Sequence, residues 1–223
     1  MTPYLDFHTH TQGCQSQIGN DDVLVVQSLH LHEAPHPRAN YVTYGIHPML
    51  EGTHQVLQEY ISHPSEALAR HTEAIRNLST PVIGIGECGW DRRAPLTLEE
   101  QEQLINLQLE LSRTLGLPMI FHIVGAWHHL LALRKQIKDP TPPWVVHGFR
   151  GKPQLAQQLT HAGLLLSLHP KAPCIDGITT FLETDDTPYT IQEHYQTRFQ
   201  GNEAKKDKII KLFYNIISSH LNK

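Results

Sequence analysis

Val82-Ile83-Gly84-Ile85-Gly86-Glu87 is a short apolar run that ends on a carboxylate. Its length and unbroken apolar character are typical of a parallel strand that is covered on both faces. Seven further runs of strand length are spread along the chain, and most of them are also continuously apolar. They are YLDF (4–7), VLVVQS (23–28), YVTYGI (41–46), PMIFHI (118–123), WVVHGF (144–149), LLLSL (164–168) and TFLETD (180–185). We therefore expect eight strands.

Helical patterns separate several of these runs. They cover residues 54–78, where Pro64 interrupts the pattern, and residues 97–115, 126–137, 152–162 and 203–220. The alternation predicts an α/β protein, a single (β/α)8 TIM-type barrel near the lower end of the usual ~200–400 residues. We expect one domain over residues 1–223. It would be slightly truncated, because the two early crossovers, 8–22 and 29–40, are short enough to be loops or single turns. An open doubly wound sheet is the alternative.

Side chains of the kinds that bind metals stand where several strands end. Side chains alternate along a strand, so His8 and His10 of the first strand point the same way and can reach one cation. The other strand ends supply Glu87, His122, His147 and Asp185. Barrel enzymes keep their catalytic groups at these carboxyl ends, and closure places the first strand beside the eighth. The six residues therefore favour the closed barrel and predict a metal site at its mouth.

Other histidines among the 17 in the chain have plainer interpretations. His30 and His32 follow the second strand and are interpreted as a polar rim. His169 follows the seventh strand; it either contacts substrate or caps the barrel mouth, and the cap is favoured. His71 and His194 fall in helical or loop patterns, and we expect them to face solvent.

Composition excludes several classes of protein. Apolar residues make up 39% of the chain and charged residues 18%, which is incompatible with intrinsic disorder. No apolar run approaches the ~20 residues of a membrane helix, and the N-terminus lacks the features of a signal peptide. The net charge of −4 argues against gripping long nucleic acid through its phosphates. Three cysteines, Cys14, Cys88 and Cys174, without CxxC spacing, favour a reducing cytoplasm.

Six motifs follow one another in a specific order. They are DFHTH (6–10), GIHP (45–48), IGECGWD (85–91), FH (121–122), HGFRG (147–151) and ETDDTP (183–188). Together they resemble the TatD family of metal-dependent deoxyribonucleases, which belong to the metallo-dependent hydrolase barrels. The resemblance implies a two-metal site: His8, His10 and Asp185 hold one ion, His122 and His147 hold the other, and Glu87 bridges them. It also implies that His47 lies near the substrate phosphate and that Glu183 lies behind the ligands.

One position departs from the pattern of the family. The family usually carries an arginine two residues after the histidine of the fifth strand, and this chain has Val124 there. Arg150 in HGFRG, or Arg92 and Arg93 after GWD, are the candidates to bind phosphate in its place.

The resemblance implies a divalent-metal-dependent hydrolase that cleaves DNA phosphodiester bonds with a metal-bridged hydroxide. Two divalent ions, offset by Glu87, Asp185 and the hydroxide, leave the cluster slightly positive, which favours an anionic substrate. Asp185 is the expected general base. The mixed histidine and carboxylate ligands suit Zn or Mn, and the family also includes Mg-dependent members. The acidic chain favours single-stranded DNA or DNA ends as substrate. The alternatives are hydrolysis of a small amide, lactone or phosphoester on the same metals, and a barrel without activity that serves as a binding module.

Overall fold

The computed structural model describes residues 2–11, 13, 21–137 and 142–221. Eight strands form one parallel sheet in which each strand pairs with the next along the chain. They are β1 (Tyr4–Thr9), β2 (Val23–Leu29), β3 (Tyr41–Tyr44), β4 (Val82–Asp91), β5 (Met119–Val124), β6 (Trp144–Phe149), β7 (Leu165–Leu168) and β8 (Phe181–Leu182). The strands are buried along almost their whole length, as the apolar runs predict. The predicted (β/α)8 barrel is confirmed.

A narrow seam between β1 and β8 closes the barrel. The N–H of Asp185 donates to the carbonyl oxygen of His8 at 3.0 Å, and Thr9 and Asp185 form an isolated parallel bridge. The buried carboxylate of Asp6 accepts hydrogen bonds from the N–H of Thr184 at 2.9 Å and from its hydroxyl at 2.6 Å. The side chain of Asp6 in β1 therefore joins the two ends of the sheet, whereas a ladder of backbone hydrogen bonds joins the other strand pairs.

The last strand is shorter than the sequence predicts. The apolar residues Phe181 and Leu182 pair with β7, whereas Glu183, Thr184 and Asp185 lie beyond the strand. Asp185 adopts a left-handed backbone conformation with φ of 51°, which an aspartate tolerates better than most residues. The predicted strand over 180–185 was therefore wrong in its second half, where polar side chains turn toward other partners.

Helices connect most of the strands. They are α1 (Thr53–Ser62), α2 (Pro64–Arg76), α3 (Leu98–Leu115), α4 (Trp127–Gln136), α5 (Pro153–His161), α6 (Ile191–Phe199) and α7 (Glu203–Leu221). Pro64 begins α2 and so divides the helical pattern of residues 54–78, as expected. Thr97 and Glu100 form the capping box of α3, which ends at Gly116 with φ of 72°.

One helix was missed, and two connections have none. Thr190 and Glu193 form a second capping box that starts α6, a signal in the sequence that went unread. Residues 30–40 connect β2 to β3 without a helix, as their short length and prolines predict, and residues 169–180 likewise connect β7 to β8. Most of the 8–22 crossover lies outside the described residues. Among the helices of the described part, none has both the length and the apolar character to cross a bilayer.

Candidate metal centre

Glu87 lies at the centre of a ring of imidazoles at the carboxyl end of the barrel. The residue is buried in β4, and its backbone passes so close to β5 that a Cβ on the preceding Gly86 would collide with the carbonyl oxygen of Ile120. Gly86 also has φ of 145°, a conformation that L side chains rarely adopt. Glycine at this position therefore lets the carboxylate of Glu87 reach the axis of the barrel mouth.

Each oxygen of Glu87 faces three histidines. Oε1 lies 3.3 Å from Nε2 of His8, 3.3 Å from Nε2 of His10 and 3.8 Å from Nε2 of His30. Oε2 lies 2.9 Å from Nε2 of His147, 3.4 Å from Nδ1 of His122 and 3.7 Å from Nε2 of His47. The alternation along β1 thus brings His8 and His10 to the same oxygen.

Asp185 completes the cluster from the far side of the seam. Its Oδ1 lies 3.7 Å from Nε2 of His10, and ligand atoms of His8, His10 and Asp185 all fall within 4.8 Å of one another. Burial raises the pKa of Asp185, but the neighbouring charges of His8 and His147 lower it by a larger amount. The pKa of Asp185 therefore lies below its usual value. The structure brings together all six residues that the sequence proposed as ligands.

Two carboxylates outside this ring lie beside the histidines opposite Oε2. Oδ2 of Asp91, at the end of β4, lies 3.2 Å from Nε2 of His122, and Oε1 of Glu183 lies 3.6 Å from Nδ1 of His147. A carboxylate that accepts the N–H of one ring nitrogen leaves the lone pair on the other nitrogen free. His122, with Asp91 as its acceptor, therefore presents Nδ1 to the centre of the mouth. His147 directs Nε2 there, 2.9 Å from Oε2 of Glu87, and its Nδ1 has no hydrogen-bond partner among the described residues.

Asp91 was missed by the sequence analysis, although it closes the GWD segment. It is buried, and Arg93 binds it with two hydrogen bonds, from Nε at 2.9 Å and from Nη2 at 2.6 Å. Burial raises the pKa of Asp91, but the hydrogen bonds from Arg93 and His122 hold it well below its ordinary value. Asp91 is therefore ionised and available as the acceptor for His122.

The cluster carries uneven charge when no cation is present. Burial disfavours ionisation of Glu87, yet the charges of His147 and His8 and hydrogen bonds from His122 and His147 hold its pKa well below the usual value. Burial also lowers the pKa of His147, but the carboxylates of Glu87 and Glu183 raise it well above 6.5. Without a cation, a proton on His147 therefore compensates the negative charge of Glu87.

The buried polar atoms of the ring fit a bound cation. Among the described residues, neither ring nitrogen of His8 has a hydrogen-bond partner, although the side chain is fully buried. A buried polar group without a partner costs free energy, and a metal ion is one partner that an imidazole lone pair takes. Neutral imidazoles combined with carboxylates are the donor set of Zn and Mn sites.

The proposed phosphate ligands lie in different surroundings. His47 is buried beside Glu87, whereas Arg150 is exposed and lines a cleft of about 270 Å³ that also contains Val124, His147 and Asp185. Arg93 is bound to Asp91. Arg92 is exposed, and its side chain lies over Gly125 at the edge of the same cleft. Of the three arginines, only Arg150 lines the cleft among the described residues.

Several histidines differ from their interpretation in the sequence. His30 is not a distant rim residue, because its Nε2 lies 3.8 Å from Glu87 and it joins His10 and Glu87 in a potential ligand group. His71 and His194 are buried rather than solvent-facing: His71 Nδ1 lies 3.2 Å from the Tyr44 hydroxyl, and His194 Nδ1 lies 3.1 Å from the Glu183 carbonyl oxygen. A helical pattern alone did not show which face of each helix meets the barrel.

Comparison with known proteins agrees with this geometry. The family model described as TatD related DNase matches residues 8–203. The chain belongs to the TatD family. The predicted resemblance is therefore confirmed over most of the chain.

One curated relative is named as a metal-dependent hydrolase and another as a TatD exonuclease. The chain is 30% identical over 187 residues to "Uncharacterized metal-dependent hydrolase YjjV" of Escherichia coli, a match that covers 78% of this chain and 66% of YjjV. It is 29% identical over 172 residues to "3'-5' ssDNA/RNA exonuclease TatD" of Erwinia billingiae, covering 70% of this chain and 60% of that protein. The sequence match thus covers less than two thirds of the length of each of these relatives.

A solved TatD homologue has the same fold. The crystal structure of YjjV from Escherichia coli superposes with a TM-score of 0.65, over 97% of this chain and 98% of YjjV, at 17% sequence identity in the superposition. At this identity the likeness establishes the barrel and not the chemistry.

Proposed function

We propose that this protein is a metal-dependent phosphodiesterase, a deoxyribonuclease that acts on single-stranded DNA or on DNA ends. The observation that carries the proposal is the position of Glu87, with three imidazoles before each carboxylate oxygen and Asp185 beside one set. The name of the Erwinia billingiae relative, a 3'-5' ssDNA/RNA exonuclease, supports nucleic acid as the substrate and adds RNA to the candidates.

The ligands divide into two sets that share one carboxylate. In this proposal His8, His10 and Asp185 would hold one divalent cation, His122 and His147 would hold a second, and Glu87 would be shared between the two sets. The cations, which are Zn, Mn or Mg, would lower the pKa of water and neutralise charge on the phosphodiester. His30 lies close enough to Oε1 of Glu87 to replace His10 as a ligand in the first set.

Asp185 is the proposed general base. It is partly accessible from the cleft, and its lowered pKa keeps it ionised at neutral pH. An ionised carboxylate beside the attacking water accepts its proton as the water oxygen bonds to phosphorus and the P–O bond to the departing nucleoside oxygen breaks. Its left-handed backbone, held by the hydrogen bond to His8, keeps the carboxylate at the seam between the cation ligands and the cleft.

His47 is the proposed first contact to the phosphate. Its Nδ1 accepts a hydrogen bond from the N–H of Met49 at 3.2 Å, so a neutral ring carries its proton on Nε2. Burial lowers the pKa of His47 to about 3, which keeps the ring neutral. His47 thus offers a fixed N–H donor to a non-bridging oxygen, and Arg150 offers positive charge on the opposite wall of the mouth.

The substrate is expected to enter end-on. The net charge of −4 gives the surface as a whole little attraction for duplex DNA, and the positive charge of the cations would be concentrated in the mouth. These features favour a single strand or a frayed end over duplex wrapping.

A small-molecule hydrolase is the second candidate. One wall of the cleft carries Ile123, Val124 and Trp127, an apolar surface that a nucleic-acid backbone does not need. An apolar ester or amide would bury part of its surface there.

The proposal is tested with protein stripped of metal and reloaded with Mg, Mn or Zn. We expect it to release mononucleotides from a labelled single-stranded oligodeoxynucleotide faster than from the matching duplex, and to lose this activity in His122→Ala and Glu87→Gln. Activity should fall with added salt. Loaded protein that leaves DNA and RNA intact but cleaves a small ester would replace the nuclease proposal with the second candidate.

The same proposal places the enzyme in the cytoplasm. Cys88 and Cys174, the cysteines of the described part, are both free, and burial raises the pKa of the Cys88 thiol. Unpaired cysteines suit a reducing compartment.

A further inference from the structure

Three of the four His-Pro pairs in the chain share one local structure. They are His36-Pro37, His47-Pro48 and His169-Pro170. In each, Nδ1 of the histidine accepts a hydrogen bond from the backbone N–H two residues further on, from Arg38 at 3.1 Å, from Met49 at 3.2 Å and from Lys171 at 3.0 Å. The prolines fix the turn that makes this bond possible.

This hydrogen bond decides what the ring can do. Because the Nδ1 lone pair is already engaged, the proton of a neutral ring is on Nε2. Such a ring can donate from Nε2 but has no lone pair there for a cation. His122 is the opposite case, since Asp91 accepts from its Nε2, so that Nδ1 carries the lone pair and lies 3.1 Å from Nε2 of His147. The His-Pro turns therefore produce donors, whereas the carboxylate partners produce ligands.

Two of the three turns follow strands on opposite sides of the barrel. His47 follows β3 and His169 follows β7, which are four strands apart in a sheet of eight. Both are buried, with 9% and 5% of their surface exposed. His36, in contrast, lies in the β2–β3 loop, where its N–H donates to Gln27.

His169 lies beside the proposed reaction site. It lines the cleft that contains Asp185, His147 and Arg150. Its Nε2 has no hydrogen-bond partner within the described residues. The charges that act on His169 are those of the carboxylates of Asp185 and Glu183 and, less strongly, those of Arg150 and Lys171, whereas Val124 in the same cleft offers no donor.

We propose that His169 is a second phosphate-binding residue, whose Nε2–H donates to a non-bridging oxygen of the phosphodiester from the wall opposite His47. The inference rests on the proposed function, because it assumes that a phosphodiester occupies the mouth. His47 and His169 would bind the phosphoryl group as neutral hydrogen-bond donors, and Arg150 would supply the nearby positive charge. His169 thus contributes to substrate binding rather than capping the barrel.

Two substitutions separate the hydrogen bond that His169 would donate to the phosphate from the hydrogen bond that its ring accepts in the turn. In His169→Asn the amide oxygen can replace Nδ1 as acceptor for the Lys171 N–H, but no donor reaches the cleft. In His169→Gln the amide nitrogen reaches the region of Nε2 as a donor, but the turn loses its acceptor. His36→Asn makes the first change in a turn away from the cleft and is the matched control.

The probe is thymidine monophosphate, titrated by calorimetry into Mn-loaded full-length protein. We expect His169→Asn to weaken binding about tenfold or more, since hydrogen bonds to charged groups are strong. His169→Gln should retain affinity within about threefold, and His36→Asn should match the wild type. Thermal unfolding of each variant verifies that it is folded.

The outcomes are distinct from those of the nuclease test. Full affinity in His169→Asn, or a loss confined to His169→Gln, would show that the histidine serves only the turn and would overturn the inference. Wild-type protein that does not bind the nucleotide would overturn it as well. Should the expected pattern appear in protein that cleaves no nucleic acid, His169 stands as a phosphate ligand and the nuclease proposal fails.

Discussion

The Nε2 atom of His122 lies 3.2 Å from Oδ2 of Asp91, and Arg93 holds that carboxylate from its other side. The chain Arg93–Asp91–His122 fixes both the orientation of the imidazole and the position of its proton. Such carboxylate partners orient metal-binding histidines and increase their basicity. In the proposed centre, Asp91 would act through His122 without contacting a cation.

Asp91→Asn should weaken divalent-metal binding ~10–100-fold, because an amide nitrogen opposite Nε2 favours the wrong tautomer of His122. The affinity for Mn is measured by calorimetry with the metal-free protein. Asp176→Asn removes the same charge from an exposed loop and should bind Mn as the wild type does. Equal affinities for all three proteins would show that Asp91 has no part in the centre.

Metal binding should release protons at neutral pH. Burial lowers the pKa of His147, but Glu87 and Glu183 raise it well above 6.5, so the cation-free protein carries a proton there that a ligand must give up. Affinity should therefore increase with pH. Calorimetry in two buffers of different ionisation enthalpy measures the release, and His147→Gln should lower the number of protons by about one. Metal binding without proton release in the wild type would contradict this account of the charge.

The seam between β1 and β8 should depend on Asp6. Asp6→Ala leaves the N–H and the hydroxyl of Thr184 without their buried acceptor, which costs roughly 1–3 kcal/mol for each group. We expect the free energy of unfolding in urea to decrease by about 2–4 kcal/mol. Asp6→Asn keeps one acceptor oxygen and should lose less. A stable Asp6→Ala variant would mean that other contacts close the barrel.

Buried His71 should make the protein less stable in mild acid. Burial lowers its pKa from 6.5 to about 4 in the folded state. Between these values the unfolded chain binds a proton that the folded protein excludes, so stability falls as pH decreases from 6.5 toward 4 and does not change through this group above 6.5. From pH 7 to pH 5 the loss is about 2 kcal/mol.

His71→Gln should remove that part of the pH dependence. Urea unfolding of wild type and variant at pH 7 and pH 5 gives the difference, which isolates His71 from the other groups that titrate in this range. An identical pH dependence in both proteins would show that His71 is protonated in the folded state.

The strands and the candidate ligands could be predicted from the sequence for the same reason. A parallel strand buried on both faces is a continuous apolar run, and the polar residue that ends it is visible against that background. WVVHGF (144–149) matches β6 residue for residue. The closed barrel then follows from the number of runs, and closure brings Asp185 to His10.

Contacts between residues that are distant in the sequence could not be predicted in this way. His30 and His169 also follow strands, but the sequence does not show whether a side chain after the strand turns inward or outward. Asp91 ends β4 only because that strand runs four residues past Glu87 along β5, a register that the sequence does not define. His194 is buried through its contact with the Glu183 carbonyl, which comes from the fold of α6 against β8.

A crystal structure of the protein loaded with Mn, with anomalous difference maps, tests the central claim most directly. The account predicts two ions at the barrel mouth, ~3.5–4 Å apart, with an oxygen of Glu87 on each. One ion should contact His8, His10 and Asp185, and the other His122 and His147. A mouth without anomalous density in protein saturated with Mn, or imidazoles turned away from Glu87, would contradict it.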